Sequence, residues 1–195
     1  MVLGLFTTGQ WCWGFAPGGA TMPIIKYPGF DTTWECKNQK YSYIENWANP
    51  ADAVWNIKVV NPCAKNDTTP DRVVFVAHHQ PWNTTQAQWQ TLLNMATATI
   101  KMKYPSAKEI DILTMGRAPG NMLCKNNNDM YTIISPAEDM AFQAVADASG
   151  GLIKVGPQYF VPDCTMSYEF ANDTDYTPAA ANFLAKTIAT YYMSH

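Results

Sequence analysis

The chain alternates strand signals and helix signals from residue 71 onward, and this alternation constrains the fold more than any other feature. Residues 72–77, Arg-Val-Val-Phe-Val-Ala, are β-branched and apolar, as is typical of a buried strand. Short runs at 109–115 and 152–156 also have strand character, and helical periodicity separates all three. Strands that alternate with helices in this way predict a parallel sheet covered by helices.

Start and stop signals mark the helices. Residues 85–88 have the spacing of a capping box, and the apolar positions that follow keep helical spacing until about residue 104. A second capping box at 135–138, with Pro136 at the first helical position, begins a helix that Gly150-Gly151 ends. The residues expected to face the core are Trp89, Leu92, Leu93, Ala96 and Ile100 in the first helix, Met140, Ala141, Ala144, Val145 and Ala148 in the second, and Ala181, Leu184, Ile188 and Tyr191 or Tyr192 in a last helix from Thr177.

The N-terminal third is less regular. Strands are predicted there at 1–6 and 55–60, and residues from about 9 to 53 form an irregular segment rich in Trp, Tyr, Pro and Gly. Its aromatic rings either complete the core or stack on sugars and partner surfaces. The whole pattern predicts one α/β domain over 1–195, a three-layer α/β/α sandwich with about five mostly parallel strands, of the flavodoxin-like type.

Composition excludes several classes of protein. With 47% hydrophobic and 15% charged residues, the chain has the apolar content of a folded domain and not of a disordered one. The 13 Lys and Arg residues against 16 Asp and Glu leave a net charge of −3, so a nucleic-acid partner is not expected. No apolar run approaches the roughly 20 residues of a membrane span.

Five widely spaced cysteines without a Cys-x-x-Cys pair argue against a zinc ribbon or a thioredoxin-type site and favour disulfides. The candidate pairs are Cys12 with Cys36 and Cys124 with Cys164, which leaves Cys63 unpaired. Sequence alone leaves other connectivities open.

Three Asn-x-Thr sequons, at Asn66, Asn83 and Asn172, add a second indication of export. Residues 1–6 lack the basic start of a signal peptide, so we expect an extracellular protein whose signal was removed or that leaves the cell by another route.

Candidate site residues follow the strands, because ligands of such sheets bind beyond the carboxyl ends of the strands. His78 and His79 come directly after the strand at 72–77, and either imidazole can serve as a base or a hydrogen-bond donor. Strand alternation turns neighbouring side chains to opposite sides, so joint metal chelation is not expected and neither a metal nor a cofactor is predicted. The alternative for either residue is a hydrogen-bonded structural histidine.

Further candidates for ligand binding lie in the loops after the strands. Arg117 can bind a carboxylate or a sugar hydroxyl, or instead pair with Glu138 or Asp139 and hold its own loop. The other candidates of this kind are Trp82, Asn83 and Asn121.

Residues 71–79, 115–121, 135–139 and 175–177, taken in this order and spacing, resemble the SGNH (GDSL-type) hydrolases, a family of serine esterases. The resemblance covers mainly the C-terminal two-thirds of the chain. It implies a first strand ending in Gly-Asp-Ser, with the Ser as nucleophile, and a His just before the last helix as the base.

The chain departs from that pattern at both positions. Gly4-Leu5-Phe6 stands where Gly-Asp-Ser is expected, and Asp175 stands where the His is expected. By the same register, the oxyanion Asn falls near His79 or Gln80. Since Phe6 has no nucleophilic atom, the resemblance implies a fold without its standard catalytic residues.

Three functions follow from this comparison. The first is an extracellular binding or self-assembling module, with carbohydrate or an acylated glycan as the ligand. The alternative is an active esterase that deacylates glycans or small esters, with Thr7 or Thr8 as nucleophile and His78 or His79 as base. The third, a subunit of a homo-oligomer or filament, is compatible with the first.

Overall fold

A computed structural model of the chain describes residues 1–5, 36–39, 42–56, 69–78, 84–113 and 136–157, together with residues 183, 184, 187, 188, 190–192 and 195. These residues contain a parallel sheet and several helices, so the predicted α/β class is confirmed. The strands are β1 (Val2–Leu5), β2 (Cys36–Gln39), β3 (Arg72–Val76), β4 (Glu109–Leu113) and β5 (Ile153–Val155).

The strands lie in the order β2-β1-β3-β4-β5, and every neighbouring pair is parallel. This is the order of flavodoxin-like doubly wound sheets, in which the chain winds outward from β1 in one direction and then from β3 in the other. The direction of winding changes between β1 and β3. The carboxyl ends of these two strands therefore mark the place where such folds bind ligands.

Four helices precede β5 in the part of the chain that is described. They are α1 (Ile44–Ala48), α2 (Gln86–Lys103), α3 (Pro136–Ala148) and a short 3-10 helix (Ala53–Asn56). Residues Phe183, Leu184, Thr187, Ile188, Thr190, Tyr191 and Tyr192 are also helical, and we call the segment they belong to the C-terminal helix.

The ends of α2 and α3 follow local signals that the sequence carries. At the start of α2 the Thr85 N–H donates to Gln88 Oε1 at 2.9 Å, and the Gln88 N–H donates to Thr85 Oγ1 at 3.3 Å, so the predicted capping box is confirmed. Gly150 and Gly151 follow α3 with φ angles of +64° and +94°, which favour glycine. Their role in ending this helix is confirmed.

Three predictions in the N-terminal third and in α3 are wrong. Residues 55 and 56 belong to the 3-10 helix and not to a strand, because the Asp52 side chain accepts the Val54 N–H at 2.9 Å and starts a helical turn. Conversely, β2 and α1 lie inside the segment expected to be irregular. In α3, Met140 and Ala148 are exposed, and Phe142 is buried in their place.

The first face of the sheet carries the main apolar core. Alternate strand residues point to this face, and α1, α2 and α3 all pack on it. Trp47 of α1 is fully buried, with its ring edge-on to Trp55 at 5.1 Å and to Phe75 at 6.3 Å. The two indole rings therefore complete the core and are not exposed for sugar stacking. The strand residues of the first face are Leu3, Val73, Phe75, Ile110, Ile112 and Ile153.

The second face of the sheet contacts the C-terminal helix. Leu184, Ile188 and Tyr192, spaced four residues apart, are its buried residues, as predicted for Leu184 and Ile188 and for one of the two tyrosines. The guanidinium carbon of Arg72 lies 5.3 Å from the centre of the Tyr192 ring. A Cβ at Gly156 would collide with Leu113 and lie 3.3 Å from the Tyr192 hydroxyl. Helices thus contact both faces of the sheet, which is compatible with a three-layer arrangement.

Candidate functional site

The carboxyl ends of β1 and β3 form the candidate site, since the strand order changes direction between them. β1 pairs with β3 through Val2 opposite Val74 and Leu3 opposite Phe75. Continuing this register brings Leu5, the last residue of β1, level with Ala77 and one residue short of His78. The two residues predicted to matter here, Leu5 and His78, are therefore brought to the same edge of the sheet.

His78 is held at this edge through its backbone and its ring. Its carbonyl oxygen accepts the N–H of Ile44, at the start of α1, at 2.7 Å. Its ring centre lies 5.5 Å from that of Tyr43, at an interplanar angle of 36°. Both side chains are partly exposed. His78 thus has a structural role, and it is partly exposed at the edge where ligands of such folds bind.

Short-range hydrogen bonds fix the start of α1, which lies next to the candidate site. The Tyr43 N–H donates to Asn46 Oδ1 at 2.8 Å, and Asn46 Nδ2 donates to Asp52 Oδ2 at 3.1 Å. Because Tyr43 precedes the helix directly, these bonds place its ring against His78. In the sequence, Tyr43 is one of many aromatic residues of the segment from about 9 to 53 that was expected to be irregular. No local signal links residues 43 and 78, which are joined by the tertiary fold alone.

Most of the other predicted site residues lie outside the described residues. Cys36 lies in β2, where the backbone alone is described. The residues whose predicted roles the structure does not describe are Phe6, Thr7, Thr8, His79, Trp82, Asn83, Arg117, Asn121 and Asp175, the cysteines Cys12, Cys63, Cys124 and Cys164, and the sequon residues Asn66 and Asn172.

A second cluster of polar side chains, which we call the ionic cluster, lies on the second face. It consists of Arg72 of β3, Glu109 and Asp111 of β4 and Lys154 of β5. Arg72 Nη2 and Lys154 Nζ each form an ion pair with one oxygen of Glu109. Arg72 Nε lies 3.7 Å from Asp111 Oδ2, a longer pair. Arg72, Glu109 and Asp111 are buried, whereas the Lys154 side chain is 56% exposed, so the cluster extends from the interior to the surface.

The pKa values of the two carboxylates of the ionic cluster are shifted in opposite directions. The pKa of Asp111 is raised to about 7, because burial and the neighbouring charge of Glu109 raise it more than the charge of Arg72 and the Tyr192 phenol lower it. Burial also acts to raise the pKa of Glu109, but the hydrogen bond from Lys154 and the charges of Arg72 and Lys154 outweigh it, so this pKa is lowered. Glu109 is therefore the stable anion of the pair, and Asp111 changes its charge near neutral pH.

Sequence analysis missed the ionic cluster. A signal for it exists in β4, where Glu109 and Asp111 alternate with Ile110 and Ile112, as expected for a strand with one polar and one apolar face. Arg72 and Lys154 lie directly opposite Glu109 and Asp111 in the register of the neighbouring strands. That register depends on the tertiary fold, so the partners could not be assigned from the sequence.

Within the described ranges, no three His, Cys, Asp or Glu side chains come together as ligands of a metal ion would. None of the helices in that part of the chain is long and apolar enough to cross a membrane. No protein-family model, curated protein or solved structure matches the chain. The strand order and the chemistry of its carboxyl edge are thus the observations that bear on function.

Proposed function

We propose that this protein is an exported three-layer α/β/α module, similar in fold to the SGNH hydrolases, that binds a ligand or assembles with copies of itself instead of hydrolysing esters. The single observation that carries the proposal is that β1 ends on Leu5 beside β3, at the change of winding direction. In an SGNH-like fold the nucleophile stands just after this strand, and here the sequence continues with Phe6. Neither side chain can attack an acyl carbon or accept a proton.

The environment of His78 supports a binding role. A partly exposed histidine whose ring centre lies 5.5 Å from that of Tyr43 places a hydrogen-bonding group next to an aromatic surface. Aromatic rings with adjacent hydrogen-bonding groups suit sugars, whose apolar faces stack while their hydroxyls are bonded. The ligand class we propose is therefore a carbohydrate or an acylated glycan, bound at the carboxyl ends of β1 and β3. The cysteines expected to form disulfides and the three sequons support an extracellular location.

Ester hydrolysis is the first test. The native chain is assayed with p-nitrophenyl acetate and butyrate beside a Leu5→Asp/Phe6→Ser/Asp175→His variant, which restores the residues of the resembled family. We expect no turnover by the native chain above the buffer rate, and turnover by the variant would support the register. Native turnover that is lost in His78→Ala or His79→Ala but kept in the matched control His195→Ala would instead establish an esterase.

Binding is the second test. Calorimetric titration with an O-acetylated oligosaccharide and its deacetylated counterpart should give saturable binding of at least one, weakened tenfold or more in His78→Ala and unchanged in His195→Ala. Sedimentation velocity over a wide concentration range detects self-assembly. Absence of binding to both oligosaccharides, together with a monomer at every concentration, would contradict the proposal.

A further inference from the structure

The ionic cluster lies between the second face of the sheet and the C-terminal helix, and it has no part in the site at the carboxyl edge. Asp111 is only 2% exposed and stands at its centre. Above it, the Tyr192 ring covers the Arg72 guanidinium at 5.3 Å, and Tyr192 itself is fully buried. The C-terminal helix therefore closes the cluster off from water along one side.

Pairing within the ionic cluster is uneven. Glu109 holds both cations, with Arg72 on one oxygen and Lys154 on the other. Asp111 has Arg72 Nε at 3.7 Å, beyond hydrogen-bond distance, and has the Glu109 carboxylate beside it. The Tyr192 phenol also acts on Asp111 and lowers its pKa, but burial and Glu109 outweigh this effect, so the pKa is raised. An ionised Asp111 is thus a buried charge with weak compensation, whereas a protonated Asp111 leaves the Glu109 pairs intact.

We propose that a proton on Asp111 controls the docking of the C-terminal helix: the helix packs firmly while Asp111 is protonated and opens more often once Asp111 is ionised. Opening admits water to the carboxylate and removes the cost of burying its charge. This inference concerns the second face alone and is independent of the proposed function.

The direction of the pH dependence follows from the groups that face Asp111. Among the described residues, the sheet contributes Arg72 from β3, Glu109 from the same strand as Asp111, and Lys154 from β5. The C-terminal helix contributes the phenols of Tyr191 and Tyr192. Asp111 has a pKa of about 7 when the helix is docked, and water returns it toward the ordinary value of about 3.9 when the helix opens. The contribution of Asp111 to docking stability is therefore fully present below pH ~4, declines as the pH rises to about 7, and is constant above that.

The other groups do not titrate in the middle of this interval. The lowered pKa of Glu109 means that its contribution is lost only as the pH falls below its ordinary value of about 4.3. Burial and the charge of Asp111 raise the pKa of Tyr191, which keeps that phenol protonated throughout. Among the groups that face Asp111, only Asp111 is therefore expected to change its charge between pH 5 and pH 7. Because His195 of the same peptide stacks on Tyr191 at 4.2 Å, the comparison with Asp111→Asn is what assigns a pH dependence to Asp111.

Hydrogen exchange measured by mass spectrometry on the full chain tests the proposal. After correction for intrinsic exchange, the equilibrium constant for opening of the peptide 183–195 should increase with pH between pH 5 and pH 7. The increase should be at most about tenfold per pH unit, which is the limit for one linked proton. In Asp111→Asn, a neutral side chain of the same shape, opening should be independent of pH over this interval. The exposed Asp147→Asn is the matched control and should keep the native pH dependence.

Two results would overturn the proposal. One is an opening of peptide 183–195 that does not change with pH in the native chain, and the other is a native pH dependence that persists in Asp111→Asn. Should Asp111→Asn fail to fold, carbon NMR of the Asp111 carboxyl in the native chain decides: titration near pH 7 supports the proposal, and titration below pH 5 contradicts it.

Discussion

The first face of the sheet is apolar and the second face is ionic near its centre, although the same strands supply both. In β4, Ile110 and Ile112 face α1, α2 and α3, while Glu109 and Asp111 face the C-terminal helix. Apolar burial is non-directional and grows with area, whereas buried charges stabilise only when each has a partner in good geometry. The two helical layers are therefore held to one sheet by different interactions: apolar packing on the first face tolerates small changes in geometry, whereas the ion pairs on the second face depend on geometry and on pH.

Truncation of the apolar face has the largest expected effect. Phe75 is fully buried under α1 and contacts the Trp47 ring, so Phe75→Ala removes a large apolar volume that its neighbours cannot refill. We expect a loss of about 3–5 kcal/mol in the free energy of unfolding, measured by urea denaturation. Met95→Ala, at a position 51% exposed on α2, is the control and should change stability by less than about 0.5 kcal/mol. Equal losses in both variants would contradict the assignment of the core to this face.

Removal of one charge from the ionic face comes next. Arg72→Met takes away the cation that pairs with Glu109 and Asp111 and leaves two buried carboxylates with fewer partners. We expect a loss of about 3 kcal/mol at pH 7 by the same measurement.

The companion variant Arg72→Met/Glu109→Leu/Asp111→Leu replaces the charges by apolar groups together, and should be within about 1 kcal/mol of the native chain or more stable. This pair of variants sharpens the contrast between the faces. If the triple variant were as unstable as Arg72→Met alone, charge pairing would not be the feature that distinguishes the second face.

Removal of the cap of α2 has the smallest expected effect, since it changes a local interaction at the edge of the first-face layer. Thr85→Ala removes the acceptor of the Gln88 N–H and should cost about 1 kcal/mol in the free energy of unfolding. Thr85→Ser keeps the hydroxyl and serves as the matched control. An equal loss in the two variants would show that packing of the threonine methyl group, and not the cap, is what matters.

Predictions from the sequence succeeded for elements with strong local signals. The strands β1, β3, β4 and β5 and the helices α2 and α3 were expected at nearly their observed positions, because β-branched runs, capping residues and glycines act over a few residues. β2 was missed because Cys-Lys-Asn-Gln has no strand propensity of its own. It forms as an edge strand by parallel pairing with β1, from Val2 opposite Cys36 to Leu5 opposite Gln39.

The candidate site was predictable in part. His78 and Leu5 were identified because each follows or ends a strand, and a parallel sheet gathers such positions at one edge. The neighbour of His78 could not be identified in the same way. Tyr43 reaches it only because α1 begins at the carboxyl end of β3, where the Ile44 N–H bonds to the His78 carbonyl.

The class of fold, the main helix boundaries and the apolar character of the residue that ends β1 can all be predicted from the residues alone. These properties depend on side-chain chemistry and on hydrogen bonds between residues close in the chain. The tertiary structure decided the strand order, the pairing of Tyr43 with His78 and the assembly of Arg72, Glu109, Asp111 and Lys154 beneath Tyr192. Each of these depends on strand register and on helix docking between distant segments, and a buried charge finds its partner only when both are set.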